Sequence, residues 1–317
     1  MDVDGVRSWW DRSARELPWR RTRDPWAILV SEVMLQQTQV DRVVPRWSRF
    51  LDRFPDPTAC AAAGPGEVIG EWAGLGYNRR ALALHRCSVE VVDRHGGRLP
   101  QDLEALLALP GIGPYTARAV LVFAFEEDHG VLDTNVARIL ARRTGRRLKR
   151  AAAQQAADDA VPAGESWWWN QALLDLGARV CAARTPRCDE CPLRPGCVWQ
   201  GGRDGAADPA VGSAGVAGGQ SRFAGSDREG RGKLVDALRR GPLAAGEVAR
   251  VTGWPDDEDR AARVVAGLVR PRSRHPIGHG LGRRLAPPSV PVPRSSRPWL
   301  GHDRCRRFVL GAGHGRQ

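Results

Sequence analysis

The apolar and polar residues in the first 200 positions alternate with the spacing of amphipathic helices. Apolar residues recur every three or four positions in six segments, residues 27–35, 40–54, 81–92, 116–125, 136–141 and 168–180. Proline and glycine separate these segments, as is typical of helix ends. The strict alternation that is typical of strands is missing from this part of the sequence. We therefore predict an all-α fold for residues 1–200.

The chain changes character after residue 200. Residues 201–220 contain seven glycines and almost no bulky side chain, which predicts a flexible linker. Three short helical patterns follow, at residues 233–240, 247–252 and 258–269, and their arrangement is compatible with a winged helix-turn-helix. We thus expect a small helical, winged-helix-like segment over residues 221–270.

Residues 271–317 have no apolar periodicity from which a core could form. They contain seven prolines, ten arginines and a single acidic residue, Asp303. A winged helix would continue here into two apolar strands, and the sequence does not predict them. Two hypotheses stay open, a disordered basic tail and a reading-frame slip in DNA of high G+C content. The whole chain has 46 arginines and only two lysines, as expected of such DNA.

Net charge says little about the partner of this protein. The formal charge is +12, but the ten arginines and one aspartate of residues 271–317 give +9, so residues 1–270 carry only +3. Any case for nucleic-acid binding must therefore come from local motifs. No run approaches the roughly 18 apolar residues of a membrane span, and the N-terminus lacks the pattern of a secretory signal. We expect a cytoplasmic protein.

Four cysteines are concentrated in one short stretch. Cys181, Cys188, Cys191 and Cys197 are separated by six, two and five residues. Both a tetrahedral zinc ion and a [4Fe-4S] cluster need four thiolates that converge on a small volume. Zinc sites usually pair two CxxC units across a longer insert, whereas here one CxxC has a single cysteine on each side. The spacing favours a [4Fe-4S] cluster, with zinc as the alternative.

A second motif, LPGIGPYTARAV, covers residues 109–120. Its glycines permit a tight hairpin with exposed backbone amides, and Pro114 suits the first turn of the following helix. Amides at a helix N-terminus bind an oxyanion whatever the base, so such a hairpin positions DNA without reading it. We expect Gly111, Gly113 and Thr116 to contact the DNA backbone.

The order of the motifs resembles one superfamily. It comprises LPWR (17–20), SEVMLQQTQV (31–40), GLGYN (74–78), LPGIGPYT (109–116), LDTNV (132–136) and the four-cysteine loop. This order is similar to that of the helix-hairpin-helix DNA glycosylases with a [4Fe-4S] cluster. Within this superfamily, the segments SEVMLQQTQV and GLGY most resemble the corresponding motifs of the MutY adenine DNA glycosylases. The resemblance covers about residues 5–200 and implies a two-lobed all-α fold, base excision repair and a [4Fe-4S] cluster on the four cysteines.

Excision of adenine needs two carboxyl groups with different protonation states. Glu32 lies among apolar residues that could raise its pKa and keep it protonated as the acid. Asp133 precedes a helix, whose dipole and amides would keep it ionised to face the developing sugar cation. The resemblance implies that Glu32 protonates adenine N7 and later helps to activate water. It also implies that Asp133 stabilises the cation and that Tyr115 and Asn135 support the site.

The adenine must leave the base stack before it can be excised. The resemblance implies that Gln37 and Tyr77 enter the stack beside the lesion. It also implies a set of adenine-pocket residues, which are Arg15, Leu17, Trp19, Arg20 and Gln171.

Position 115 separates two branches of the superfamily. Endonuclease III has a lysine just after the hairpin, whose amine attacks the sugar and leads to strand cleavage, whereas this chain has Tyr115. Neither of its two lysines, Lys149 and Lys233, lies in the motifs. Without an amine there, no Schiff base can form. We expect a monofunctional, hydrolytic glycosylase.

Longer members of the resembled family carry a C-terminal Nudix-like domain that reads 8-oxoguanine. Residues 221–270 are too short and too helical to be that domain, so preference for 8-oxoguanine over guanine opposite adenine stays open. We expect a monomer that acts on double-stranded DNA with A:8-oxoG or A:G mispairs. Two alternatives stay open, an endonuclease III-like glycosylase and lyase for damaged pyrimidines, and a non-enzymatic iron-sulfur DNA-binding regulator.

Overall fold

A computed structural model describes residues 1–202, 205–214 and 222–269. The predicted all-α fold is confirmed, because no strand occurs in these ranges. The helices are α1 (Val3–Ser13), α2 (Pro25–Leu35), α3 (Val40–Arg53), α4 (Pro57–Ala62), α5 (Pro65–Glu71), α6 (Arg79–His95), α7 (Leu103–Ala108), α8 (Pro114–Phe125), α9 (Thr134–Thr144), α10 (Arg150–Asp158), α11 (Ser166–Arg179), α12 (Asp227–Arg240), α13 (Val248–Thr252) and α14 (Glu258–Val269). The predicted tail, residues 271–317, lies outside the described residues.

The chain divides into two compact units, Met1–Gly219 and Gln220–Gln317. The first unit contains two hydrophobic cores. Side chains of α2 to α8 form one core, and side chains of α1, α9, α10 and α11 form the other. Val131 belongs to the first core and its neighbour Leu132 to the second, so the chain crosses from one core to the other just before α9.

Helix α2 lies at the centre of the first core. Its start is set by Asp24, whose side chain accepts a hydrogen bond from the backbone N–H of Trp26, and by Pro25 at the first helical position. All nine residues from Trp26 to Met34 are buried. A helix that is apolar on all faces is typical of a core position. Burial of this helix therefore also buries its one acidic residue, Glu32.

The predicted flexible linker, residues 201–220, is partly packed against the first unit. Asp208 forms an ion pair with the buried Arg142 at 2.7 Å, and Ala210 is fully buried. The Ala214 N–H donates to the Leu148 carbonyl at 3.0 Å. Glycine content alone did not predict these contacts, because one half-buried aspartate and two small alanines are enough to hold the segment in place.

The second unit is described from residue 222 to 269 and contains α12, α13 and α14. Leu234, Ala249 and Val264 are among its buried side chains. A Cβ at Gly230 would lie 2.1 Å from the Trp254 ring, so glycine permits the close approach there. The helical part of the predicted winged-helix-like segment is present, and the domain assignment stays a prediction. None of the described helices is long and apolar enough to span a membrane.

Candidate active site

Three elements bring Glu32, Tyr115 and Asp133 together. Glu32 lies two turns into α2, Tyr115 is in the first turn of α8, and Asp133 is the N-cap residue of α9. The Tyr115 hydroxyl donates a hydrogen bond to the Glu32 carboxylate, and Asp133 is close enough to interact with both side chains electrostatically. Residues 101 positions apart in the sequence thus form one acidic cluster where the two cores meet.

Burial makes Glu32 a weak acid. Only 5% of the residue is exposed, and this desolvation is the largest cause that raises the pKa of Glu32 to about 7. The Tyr115 hydrogen bond and the positive charge of Arg20 lower this pKa, and the negative charge of Asp133 raises it. A carboxyl group with this pKa is substantially protonated at neutral pH and can donate a proton.

Asp133 is held by the start of its own helix. Its Oδ1 accepts from the Val136 N–H and its Oδ2 from Asn135 Nδ2, both at 2.7 Å. Burial of the carboxylate nevertheless raises the pKa of Asp133 above its ordinary value, and these hydrogen bonds and Arg138 oppose the rise. The sequence-based expectation considered the capping amides and the helix dipole. It missed the burial that the neighbouring core imposes on the carboxylate.

Asn135 connects Asp133 to a buried arginine. Its Oδ1 accepts from Arg138 Nη2 at 2.7 Å, and Arg138 Nε donates to the Cys181 carbonyl at 2.8 Å. A Cβ at Gly177 would lie 2.6 Å from the Asn135 Cβ, so a glycine on α11 permits this packing. The Asn135 amide thus has partners on both sides, and its supporting role in the site stays a prediction.

The arginines of the predicted adenine pocket share one buried partner. Arg15 Nε donates to Asp175 Oδ1 at 2.6 Å, and Arg20 donates to both Asp175 oxygens at 2.9 Å. The Asp175 side chain is fully buried, and hydrogen bonds from Arg20 and then Arg15 hold the pKa of Asp175 below its ordinary value despite desolvation. Sequence analysis missed Asp175. Its only signal was its place one helical turn after Gln171.

The other predicted pocket residues lie close to this ion pair in the chain. Gln171 is buried on α11, and Leu17 and Trp19 are buried in the first core. The Trp19 and Trp47 rings meet edge to face, with 6.0 Å between their centroids. Leu17 and Trp19 therefore contribute to packing, whatever further contact they make with a base.

The two predicted wedge residues share a rare backbone conformation. Gln37 has φ 57° and Tyr77 has φ 48°, and among described residues other than glycine only Glu126 and Gln200 are also in this left-handed region. Side chains with a Cβ adopt it at an energetic cost, and such residues cluster at functional sites. Gln37 is exposed and Tyr77 half-buried, so both loops face solvent.

The hairpin before α8 gives its three predicted DNA-contact residues different surroundings. Gly111 is exposed with φ 82°, and Gly113 is the N-cap residue of α8, so both suit the predicted backbone contact with DNA. Thr116 is 3% exposed, and its hydroxyl oxygen accepts from Gln36 Nε2 at 3.5 Å. Its side chain faces the protein, because position 116 is on the side of α8 that packs against α2.

Known proteins are similar to this chain in sequence and fold. A family model described as the HhH-GPD superfamily of base excision DNA repair proteins matches residues 30–161. The adenine DNA glycosylase of Mycolicibacterium smegmatis is 43% identical over 277 residues, covering 83% of this chain and 90% of that protein. The chain belongs to the adenine DNA glycosylase family. This membership confirms the resemblance found in the motifs and favours it over the endonuclease III-like and regulator alternatives.

Solved structures agree with the fold described above. A thermostable thymine-DNA glycosylase is 30% identical, with a TM-score of 0.60, and covers 62% of this chain and 94% of its own. A trapped endonuclease III–DNA covalent intermediate is 24% identical, with a TM-score of 0.56. It covers 63% of this chain and 94% of its own, and it shows the fold alone. The predicted helix-hairpin-helix glycosylase fold is confirmed.

Four cysteines of this protein line one pocket. Cys181, Cys188, Cys191 and Cys197 all contribute to its wall, and Arg142 lies beside them. Burial, and then the proximity of the other three thiols, raise the pKa of Cys191 to about 11. Thiolates so close together need positive charge between them, which a bound metal centre supplies.

The geometry of the cysteines bears on which group they fit. In residues 1–202, 205–214 and 222–269, no group of three or more His, Cys, Asp or Glu side chains is arranged to hold a single metal ion. Four cysteine thiols around one pocket are a donor set that suits either a [4Fe-4S] cluster or a tetrahedral zinc ion.

Proposed function

We propose that this protein excises adenine mispaired with 8-oxoguanine or guanine in double-stranded DNA, by hydrolysis of the N-glycosidic bond and without lyase activity. Family membership makes it a DNA N-glycosylase of base excision repair that removes adenine. The cluster of Glu32, Tyr115 and Asp133 is the observation that supports the hydrolytic mechanism. We also propose that it acts as a monomer in the cytoplasm, at the nucleoid.

The first chemical step is proton donation by Glu32. A glycosidic bond to adenine breaks more readily when N7 carries a proton, because the base then leaves without a negative charge. The pKa of Glu32, about 7, supports this role, since the acid is protonated and yet can release its proton near neutral pH. The hydrogen bond from Tyr115 stabilises the carboxylate after the transfer.

The second requirement is stabilisation of the oxocarbenium-like sugar. Asp133, which lies in the same cluster as Glu32, supplies the negative charge in this proposal. Its hydrogen bonds to Val136 N and Asn135 Nδ2 keep the carboxylate oriented while the cation develops. Glu32, now ionised, then accepts a proton from the attacking water.

The side chain at position 115 supports a monofunctional enzyme. A lyase step requires an amine that can form a Schiff base with the sugar, and Tyr115 offers a hydroxyl whose pKa is raised well above its ordinary value. Lys149 precedes α10, and Lys233 lies on α12 of the second unit. We therefore propose that strand cleavage after base loss needs alkali or a second enzyme.

A [4Fe-4S] cluster would be held by Cys181, Cys188, Cys191 and Cys197. When bound, it would cross-link the loop between α11 and residue 197 through iron-sulfur bonds. Arg142 supports this loop from within the protein, since it donates to the carbonyls of Ala182 and Ala183 at 2.8 and 3.0 Å. We propose that this loop, which also carries Arg184, Arg187 and Arg194, contacts DNA phosphates.

Single-turnover excision tests this function. Duplexes with A opposite 8-oxoguanine, A opposite G and thymine glycol are incubated with the enzyme, with and without alkali, beside Glu32→Gln. Alkali-dependent loss of adenine that the variant lacks is the expected result. Strand cleavage without alkali, or excision of thymine glycol, would replace the proposal by the endonuclease III-like alternative. DNA binding without excision from any duplex would favour the regulator.

A further inference from the structure

Arg80 is a buried arginine with no acidic partner, and the chemistry described above does not use it. The residue is 6% exposed at the start of α6, and among described residues no carboxylate forms an ion pair with it. Burial lowers the pKa of Arg80 to about 10, so the guanidinium is still charged at neutral pH. A buried charge without a counter-ion is costly unless hydrogen bonds compensate for it.

Five carbonyl oxygens and one hydroxyl provide that compensation. They come from two places, the end of α2 with the loop that follows it, and the loop before α6. Nη1 donates to the carbonyls of Val33, Met34 and Gln36 at 2.9, 2.8 and 2.5 Å. Nη2 donates to the carbonyls of Leu75 and Gly76 at 3.2 and 3.1 Å and to Thr38 Oγ1 at 2.9 Å. The first group lies at the C-terminal end of α2, where helix carbonyls lack intrahelical partners and the helix dipole is negative.

Three of these six acceptors belong to immediate neighbours of the two wedge residues. Gln36 and Thr38 are the immediate neighbours of Gln37, and Gly76 immediately precedes Tyr77. Both wedge residues have positive φ, a conformation that persists only where the surrounding structure enforces it. The Arg80 guanidinium also lies 5.5 Å from the Tyr77 ring centroid. One planar group therefore fixes both loops and the spacing between them.

We propose that Arg80 is a positioning residue for base extrusion, which holds Gln37 and Tyr77 as one rigid wedge. Extrusion costs several kcal/mol of stacking and pairing, which the wedge compensates only if both side chains enter the duplex together. If the two loops moved independently, ordering them on binding would cost conformational entropy. This cost would reduce the free energy that the wedge gains by entering the duplex. This inference rests on the proposed function, because it assigns a role within adenine excision.

The test compares Arg80→Lys with Arg86→Lys, a matched change at an exposed residue of the same helix. Lysine keeps the charge but cannot reach six acceptors in two directions. Both changes are made in Glu32→Gln protein, and the duplex carries 2-aminopurine, a fluorescent adenine analogue, opposite 8-oxoguanine. We expect about tenfold less extrusion, measured as the rise in fluorescence on binding, for Arg80→Lys and no change for Arg86→Lys. Equal fluorescence for the two variants would overturn the inference.

A double-mutant cycle separates positioning from general loss of structure. If Arg80 acts through the wedge, Arg80→Lys should reduce single-turnover excision strongly in the wild type and little further in Tyr77→Ala. Additive losses would contradict the inference. The pH midpoint of excision, which reports on Glu32, should stay unchanged in Arg80→Lys, and a shift would mean that the change distorts α2 as a whole.

A milder variant keeps the test decisive if Arg80→Lys does not fold. Thr38→Val removes one acceptor of Arg80, together with the hydrogen bond from Thr38 Oγ1 to the Leu75 carbonyl at 3.4 Å. We expect Thr38→Val to reduce extrusion less than Arg80→Lys does, and to leave the pH midpoint of excision unchanged. Extrusion equal to that of the protein with Thr38 would overturn the inference. Failure of the proposed function is recognised separately, because then the wild type itself excises no adenine.

Discussion

Two buried carboxylates in the first unit respond to burial in opposite ways. Burial raises the pKa of Glu32 to about 7, whereas the pKa of Asp175 is lowered although its side chain is fully buried. Glu32 faces a hydroxyl and a second carboxylate, while Asp175 receives hydrogen bonds from two guanidinium groups. Burial alone thus does not mark a catalytic acid. The charge of the nearest partners decides whether a buried carboxyl group holds a proton or a negative charge.

The largest expected effect comes from removing the proton of Glu32. Glu32→Gln keeps the size of the side chain but has no acidic proton, so adenine excision should fall by about 10²- to 10⁴-fold. Single-turnover rates on A:8-oxoG duplexes measure this loss. Glu104→Gln, a change at an exposed residue of α7, is the matched control. Comparable rates for both variants would mean that Glu32 is not the acid.

Asp175 should matter more for stability than for chemistry. Asp175→Asn leaves the charges of Arg15 and Arg20 without their counter-ion, and breaking a buried ion pair costs about 3–5 kcal/mol. Urea denaturation of this variant should show that loss in the free energy of unfolding. The exposed Asp159→Asn should show almost none. A small loss for Asp175→Asn would mean that solvent reaches the two arginines after the change.

The two carboxylates should give opposite pH dependences of stability. The pKa of Glu32 is raised from 4.5 to about 7 on folding, so its contribution is present below pH 4.5 and is lost as pH rises through about 7. The pKa of Asp175 is lowered from 3.8, so its contribution is present above pH 3.8 and is lost on acidification.

Urea denaturation from pH 3 to 8 checks both signs. Glu32→Gln should remove a decline of about 3 kcal/mol between pH 4.5 and 7, the equivalent of the Glu32 pKa shift. Asp175→Asn should instead remove a decline at acid pH. Parallel curves for wild type and Glu32→Gln would contradict the raised pKa.

The smallest expected effect is a shift of the pH profile. The Tyr115 hydroxyl lowers the pKa of Glu32 by stabilising its carboxylate, so Tyr115→Phe should raise that pKa further. The alkaline limb of the single-turnover rate should therefore move to higher pH, with folding retained. A shift to lower pH would show that Tyr115 acts on Glu32 mainly in another way.

The sequence predicted the features that depend on neighbours along the chain. The motif resemblance implied the roles of Glu32 and Asp133. The apolar flanks of Glu32 and the place of Asp133 before a helix agreed with those roles, and both local environments are present in the structure. Asp175 could not be predicted, because its partners lie 155 and 160 positions away. The role of Arg80 could not be predicted for the same reason. Its hydrogen-bond acceptors at the end of α2 and in the loop after it lie 42 to 47 positions away in the sequence. Long-range pairing of charges leaves no periodic trace in a single sequence.

The expectations that changed involve side-chain direction. Thr116 follows the hairpin glycines, but the helical rotation of α8 turns its hydroxyl toward Gln36. Asp133 caps α9 as predicted, but the two cores close around its carboxylate and raise its pKa. The sequence motif located each residue correctly, and tertiary packing decided what surrounds its side chain.

The docking of Asp208 on Arg142 affects where the catalytic region can be shortened. Arg142 is 2% exposed, and its guanidinium reaches both the carbonyls of the cysteine loop and the Asp208 carboxylate. A truncation after residue 200, where the glycine-rich stretch begins, would remove Asp208. The buried Arg142 guanidinium beside Cys181 would then have lost this carboxylate partner. A fragment that keeps these contacts must extend at least to Asp208, and one that also keeps the hydrogen bond from the Ala214 N–H to the Leu148 carbonyl must extend to Ala214.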